Sequence, residues 1–291
     1  MQTQNLSIRA RDGLELAGTS FGDPSSDSVA VINSATAVPR GFYRHFAGAL
    51  ATAGYRVITY DYRGIGGSRP ATLRGFPAAM RDWALLDMAG VLDWVAAEHP
   101  QARVVLVGHS VGGQIAGLVG GAHNIAGMAT MSSQSGYWKL QGAEQKLLVA
   151  MHVHLTFPVL TSIFGYLPWR KFGSSEDLPH GVAKEWARWC RDPKYLLGDT
   201  SLPLERYQQF AAPVLAYSFS DDKWGTSRSV DAMMSAYPNL QRQHVEPHLA
   251  GLEALAHFGY FRPAASTLWP DVIEWLDACP MRSAPAAVRD L

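Results

Sequence analysis

Three residue types fall in an order that could activate a hydroxyl group: Ser110, an aspartate at 221 or 222, and His257. A serine hydroxyl is a weak nucleophile at neutral pH. It needs an adjacent base, and the base needs an acid to fix its tautomer. Ser110 lies in Gly108-His109-Ser110-Val111-Gly112, after the β-branched run 104–107 and before a helix-compatible segment, 113–120. Strand, glycine-flanked serine and helix make the nucleophile-elbow pattern, in which a tight reversal exposes Oγ. The glycines are required because a Cβ at either position would collide with the neighbouring strand or helix. Without that context the five letters would equally fit a structural glycine turn with an inert serine.

The acid and base are expected at the ends of later elements. The apolar run 213–219 leads into Ser220-Asp221-Asp222, which places carboxylates at a strand's C-terminal end. Asp222 is preferred to Asp221 because Lys223-Trp224-Gly225-Thr226 reads as a short turn into the next helix. The alternative has Asp221 orienting the histidine and Asp222 capping a turn. His257, in Ala256-His257-Phe258-Gly259, follows the last strand and precedes the last helix. Its rivals are weaker: His244 sits within a strand and His248 directly follows Pro247. Acyl transfer also needs donors for the developing oxyanion. The backbone N–H groups of Val111 and of Thr36, in the loop Asn33-Ser34-Ala35-Thr36-Ala37, are expected to supply them. His152 and His154 are two residues apart, face different sides of a helix, and have no carboxylate to complete a ligand set. No metal and no cofactor are expected.

The elements that must position these groups alternate. Residues 6–21 form two extended runs around Asp12-Gly13, a hairpin signal. Strands are expected at 29–33, 55–60, 103–107, 125–131, 213–219 and 240–245, and helices at 41–53, 80–99, 227–237 and 266–279. Strands separated by helices of this length imply parallel βαβ units. Residues 137–209 break the pattern, with four tryptophans, five prolines and no clear strand. Seventy residues is far longer than an ordinary connection, so an inserted helical cap is expected there, on a core formed by 1–136 and 210–291. Its aromatic side chains, Trp138, Trp169, Trp186 and Trp189 with Phe157, Phe164, Tyr166 and Phe172, are candidates for an apolar pocket over Ser110, or for simple packing of cap on core.

Bulk properties exclude several classes. In 291 residues, 25 basic and 25 acidic side chains cancel, so no charge footprint points to nucleic acid. The N-terminus lacks the basic and apolar runs of a signal peptide, and 147–160 reads as too short to span a bilayer. A cytoplasmic protein with a small-molecule substrate and no membrane partner is expected; nothing bears on its oligomeric state. Cys190 and Cys279 read as ordinary thiols.

With these residues in hand, the chain resembles the α/β-hydrolase superfamily. The resemblance rests on Gly108–Gly113, on Asp61-Tyr62-Arg63-Gly64-Ile65-Gly66-Gly67-Ser68, on the Asp222 turn and on the His257 loop. In finer detail, Tyr217–Asp222 and His257–Arg262 are similar to predicted bacterial serine hydrolases of the serine aminopeptidase and monoacylglycerol-lipase-like group. The resemblance implies a mostly parallel eight-stranded sheet with helices on both faces, and structural roles for Asp61 and Arg63. One departure is that Ser34-Ala35 stands where many members have His-Gly. The leading expectation is an ester hydrolase acting through an acyl-enzyme on Ser110. The same triad also serves acyl transfer to another acceptor, or amide cleavage. A non-catalytic binding protein on the same fold is the alternative from a different class.

Overall fold

The computed structural model describes residues 2–120, 124–171, 173 and 175–280. Eight strands form one sheet: β1 (Thr3–Arg9), β2 (Glu15–Phe21), β3 (Ser28–Asn33), β4 (Arg56–Tyr60), β5 (Arg103–His109), β6 (Ile125–Met131), β7 (Val214–Phe219) and β8 (Leu240–Val245). Their spatial order is β1-β2-β4-β3-β5-β6-β7-β8. β2 is antiparallel to both its neighbours, β1 and β4, and from β4 to β8 all pairings are parallel. The apolar runs read from sequence are these inner strands, covered on both faces: every residue of β4 and β7 is buried.

Alternating side chains feed two cores. Val29, Val31, Leu106 and Met128 face one side with the helical segment 80–98, α-helix Ser227–Met234 and much of 137–209. Ala30, Ile32, Val105 and Met131 face the other, under helices Arg44–Thr52 and Trp269–Ala278. Strand order reverses between β3 and β5. The loops leaving those two strands therefore open side by side at the sheet's C-terminal edge, where ligands bind in such sheets. Thr36 and Ser110 are on those loops.

Several boundaries differ from expectation. The segment after Ser110 is a single α-turn, Val111–Gln114, that tightens to a 3-10 turn, Ile115–Leu118. The Tyr207 ring packs so closely on Gly117 that a Cβ there would lie 2.2 Å from it. The last helix starts at Trp269 because 263–268 form a 3-10 turn. Residues 137–209 contain a two-residue ladder, Tyr166–Leu167 with Leu178–Pro179, where no strand was expected. The stretch 147–160 lies inside a 22-residue helix, Ala143–Phe164, whose length and composition would suffice to cross a bilayer. Pro158 sits within it just after a π-turn, His152–Thr156, and a wider turn accommodates a residue that cannot donate to the helical ladder.

The Asp61–Ser68 segment is a structural hub, as the resemblance implied. The Asp61 carboxylate is fully buried and accepts from the backbone N–H of Arg40 (2.6 Å) and of Gly67 (2.8 Å). Arg63 donates to Asp87 through Nε (2.7 Å) and holds Asp12 of the first hairpin in a two-pronged pair (2.8 and 2.9 Å). Cys190 and Cys279 are both free and buried.

Candidate active site

Ser110 sits at the end of β5 with φ 51° and ψ −117°, outside the helical and extended regions. Contacts on both sides enforce that reversal. A Cβ on Gly108 would lie 2.5 Å from the Cα of Gly113, and one on Gly112 would lie 2.2 Å from the Asn33 carbonyl oxygen. The glycines are thus there for close approach, as the sequence pattern required. Among the described residues five non-glycine positions have positive φ, and all five border this site: Ala37, Ser110, Ser132, Tyr195 and Ala256. Such conformations cost roughly 1–3 kcal/mol each and persist only where the surroundings enforce them.

His257 Nδ1 lies 2.8 Å from Asp222 Oδ2. The same oxygen accepts from the Ser132 hydroxyl at 2.6 Å, and Oδ1 accepts from the N–H groups of Trp224 (2.9 Å) and Gly225 (2.8 Å). Burial alone would raise this carboxyl's pKa. The His257 ring, the Ser132 hydroxyl and the Gly225 N–H outweigh it and bring the value down to about 2. Asp222 is therefore an anion whose hydrogen bonds hold Nδ1 of the ring protonated and leave Nε2 as the basic nitrogen.

The neighbouring aspartates have different partners. Asp221 points to the other side of the turn, where Oδ2 accepts from the backbone N–H of Leu255 (2.8 Å) and Ala256 (2.9 Å). It braces the His257 loop and does not touch the ring. His244 bonds Ser218 within the sheet, away from Ser110.

The Ser110 hydroxyl faces Gln134 Oε1 at 3.5 Å, its hydrogen-bond partner among the described residues, so Oγ must rotate to reach His257. Serine and histidine nevertheless share the wall of one cavity. Such bonds are often loose before substrate binds. The N–H of Val111, first in its turn, has no intrahelical acceptor. Thr36 lines the cavity beside Ser110, as an oxyanion donor would require.

Two chambers meet at Ser110 and share Thr36, Gln134, Trp169, Trp186 and Trp224 in their walls. The inner chamber runs under helix Ala143–Phe164, past Val149, Val153 and Phe157. The outer one opens beside His257 and Phe258. Trp169 and Trp186 thus line both chambers. Trp138 and Trp189 do not. Trp189 is buried with Nε1 donating to Asp199 at 2.9 Å, and Trp138 packs between Tyr137 and His154. Both serve packing of 137–209 instead of the cavity wall. Phe172 lies outside the described residues. Sequence reasoning missed Ser132, Gln134 and Trp224; for Trp224 the signal was its place in the Asp222 turn.

His109, inside the serine motif, is fully buried. Its Nε2 lies 2.8 Å from the His257 carbonyl oxygen and must carry the proton, so Nδ1 accepts from the Tyr43 hydroxyl at 2.9 Å. Burial, helped by the neighbouring His257, lowers its pKa to about 3, so the ring is neutral.

Strand order, parallel crossovers and a serine-bearing turn after β5 define the α/β-hydrolase fold. The model of the serine aminopeptidase S33 family matches residues 27–188, more than half of the chain. The chain belongs to that family and is an α/β-hydrolase enzyme. Among solved structures it is similar to an esterase of Pyrococcus furiosus (18% identity, 96% of this chain and 91% of that one, TM-score 0.62). It is equally similar to an esterase of Exiguobacterium antarcticum (17% identity, 94% and 100%, TM-score 0.62). A curated protein of Variovorax paradoxus, provisionally named a carbamate hydrolase, is 36% identical over 92 residues. That match spans 32% of this chain and 32% of the relative's length.

Proposed function

We propose that this hydrolase cleaves carboxylic esters through an acyl-enzyme on Ser110. The observation that carries the reading is the 2.8 Å pairing of His257 Nδ1 with buried, ionised Asp222, in a cavity wall shared with Ser110. Oγ attacks the carbonyl carbon as His257 Nε2 takes its proton, and the N–H groups of Val111 and Thr36 stabilise the oxyanion. The imidazolium then protonates the leaving oxygen, and water, deprotonated by the same nitrogen, releases the acid.

This proton path also orients the substrate. The leaving group must lie on the His257 side, in the outer chamber beside Phe258. The acyl group then enters the inner chamber between Val149, Val153, Phe157 and Trp186. That wall is mainly aromatic and aliphatic, with glutamine amides and the His152 ring among its polar groups, which suits an uncharged acyl chain of short to medium length. Residues 137–209 act in this reading as the cap that shapes both chambers.

The test is reaction with a fluorophosphonate probe, with the modified peptide located by mass spectrometry and Ser110→Ala and His257→Ala as controls. Labelling at Ser110 that requires His257 supports the proposal. A folded protein that is neither labelled nor active on any ester would return it to the non-catalytic binding reading.

A further inference from the structure

The helix Ala143–Phe164 presents its apolar residues in the wrong direction for a protein surface. Its inner side, Val149, Val153, Phe157 and Thr161, is buried. Its outer side carries Leu147 (81% exposed), Met151, Leu155 (60%), Val159 and Ile163 (60%). No Asp, Glu, Lys or Arg occurs from 147 through 169. A repeat of every fourth residue drifts around an ordinary α-helix, which turns once per 3.6 residues. The π-turn at His152–Thr156 widens one turn and takes up part of that drift, which keeps the five side chains on one face. A solvated helix normally shows the opposite pattern, and an apolar stripe of this length marks a surface that meets something else.

The two ends of the helix indicate what that is. Exposed Lys139 and Lys146 flank the first end, and exposed Arg74 and Lys171 flank the second. Each end also pairs a cation with an aromatic ring: Lys139 Nζ lies 5.1 Å from the Trp138 ring centre, and Lys171 Nζ lies 5.1 Å from that of Phe164. Three carboxylates are nearby, but Glu144 is taken by Lys223, Glu176 by Arg170 and Asp177 by Arg69. A second copy of the chain fits poorly, because a two-fold pairing of these helices sets cations against cations in either direction. A lipid surface offers hydrocarbon to the stripe and phosphates to both ends at once. Apolar stripe, aromatic flanks and basic termini are the features of a helix lying in that interface.

We propose that this face docks on the surface of an anionic phospholipid bilayer. The helix lies flat and does not span, because its inner side is packed in the protein. That same inner side walls the inner chamber, so docking sets the chamber one helix diameter, about 10 Å, from the lipid.

The experiment is flotation of the full chain with vesicles of phosphatidylcholine containing about one-third phosphatidylglycerol, and with phosphatidylcholine alone. The protein is expected to float with the anionic vesicles and to be partly released by high salt. Leu155→Glu and Ile163→Glu should each cut the bound fraction roughly tenfold. Both positions are exposed, so circular dichroism should be unchanged, and Leu147→Glu substitutes for either variant that fails that check. Lys139→Gln combined with Lys146→Gln should weaken anionic binding only. Absence of flotation, or flotation indifferent to all three glutamates, overturns the proposal. So does a dimer in light scattering that Leu155→Glu converts to monomer, since a second copy would then cover the face. Vesicle binding is read without substrate, so its failure leaves the ester reading standing, and the reverse also holds.

Discussion

His109 donates through Nε2 to the backbone carbonyl of His257, so the residue beside the nucleophile holds the chain of the base. The relay extends further: the Tyr43 hydroxyl donates to His109 Nδ1 and accepts from the Ala35 N–H at 2.8 Å. Each member has one possible role, because a carbonyl only accepts and an N–H only donates. The loop bearing Thr36, the elbow and the His257 loop are thereby fixed to one another through two buried side chains.

Tyr43→Phe removes both bonds of the hydroxyl and leaves the Ala35 N–H and His109 Nδ1 unpaired. The expected cost is about 1–3 kcal/mol of stability, read from urea denaturation. Ester kinetics should show kcat lowered about tenfold with KM little changed, since orientation at the reacting centre is lost while the chambers stay intact. A loss of stability alone, at unaltered kcat, would reduce the relay to scaffolding.

The adjacent aspartates should separate cleanly. Asp222→Asn removes the anion that fixes the tautomer of His257, and a fall of roughly 10⁴ in kcat is expected. Asp221→Asn keeps an amide oxygen able to accept from Leu255 and Ala256, so its activity should stay within about tenfold. Comparable losses in the two variants would overturn the assignment of roles.

Acid stability carries the signature of His109. Folding holds this ring neutral with its pKa lowered to about 3, whereas the unfolded chain protonates it near 6.5. The unfolded state therefore binds more protons as pH falls, and stability declines by up to about 1.4 kcal/mol per pH unit between those values. Asp222 acts lower down: its contribution is present above the unfolded value, near 3.9, and is lost as pH falls through about 2. Urea midpoints measured from about pH 7 to pH 4 should fall more steeply for the wild type than for His109→Gln. Parallel slopes would mean that His109 titrates in the folded protein.

Two tryptophans of 137–209 should behave differently. Trp186→Ala enlarges the inner chamber and should shift ester preference toward longer acyl chains. Trp189→Ala removes a buried ring and its bond to Asp199, at a cost of about 3–5 kcal/mol, without changing that preference. The measurement is a chain-length series alongside thermal melts. A preference shifted equally in both variants would place Trp189 against substrate after all.

Much of this architecture is local and could be read from the chain. β6 and β7 fall where their apolar runs predicted, to within a residue, because strands buried on both faces are continuous in sequence. The Asp222 turn was legible because Trp224 and Gly225 bond back two and three residues. What escaped was long-range. Ser132 meets Asp222 across 90 positions, and His109 meets Tyr43 across 66 and His257 across 148. No periodicity encodes such pairings. The tryptophans of 137–209 show the same limit: composition gave their number, but only packing separates Trp186, on the cavity wall, from Trp189, three residues on and buried.

The five left-handed residues make the site a set of cocked springs held by the rest of the molecule. Glycine at Ala256 would relax one of them without deleting a side-chain hydrogen bond, and replacing a strained residue in this way typically recovers about 1 kcal/mol. A search for thermostable variants would therefore be drawn to the positions that aim the catalytic groups. Heat resistance gained there would loosen the His257 loop. In this protein, rigidity of the scaffold and tension in the site are opposing quantities, and selection for one can be read as erosion of the other.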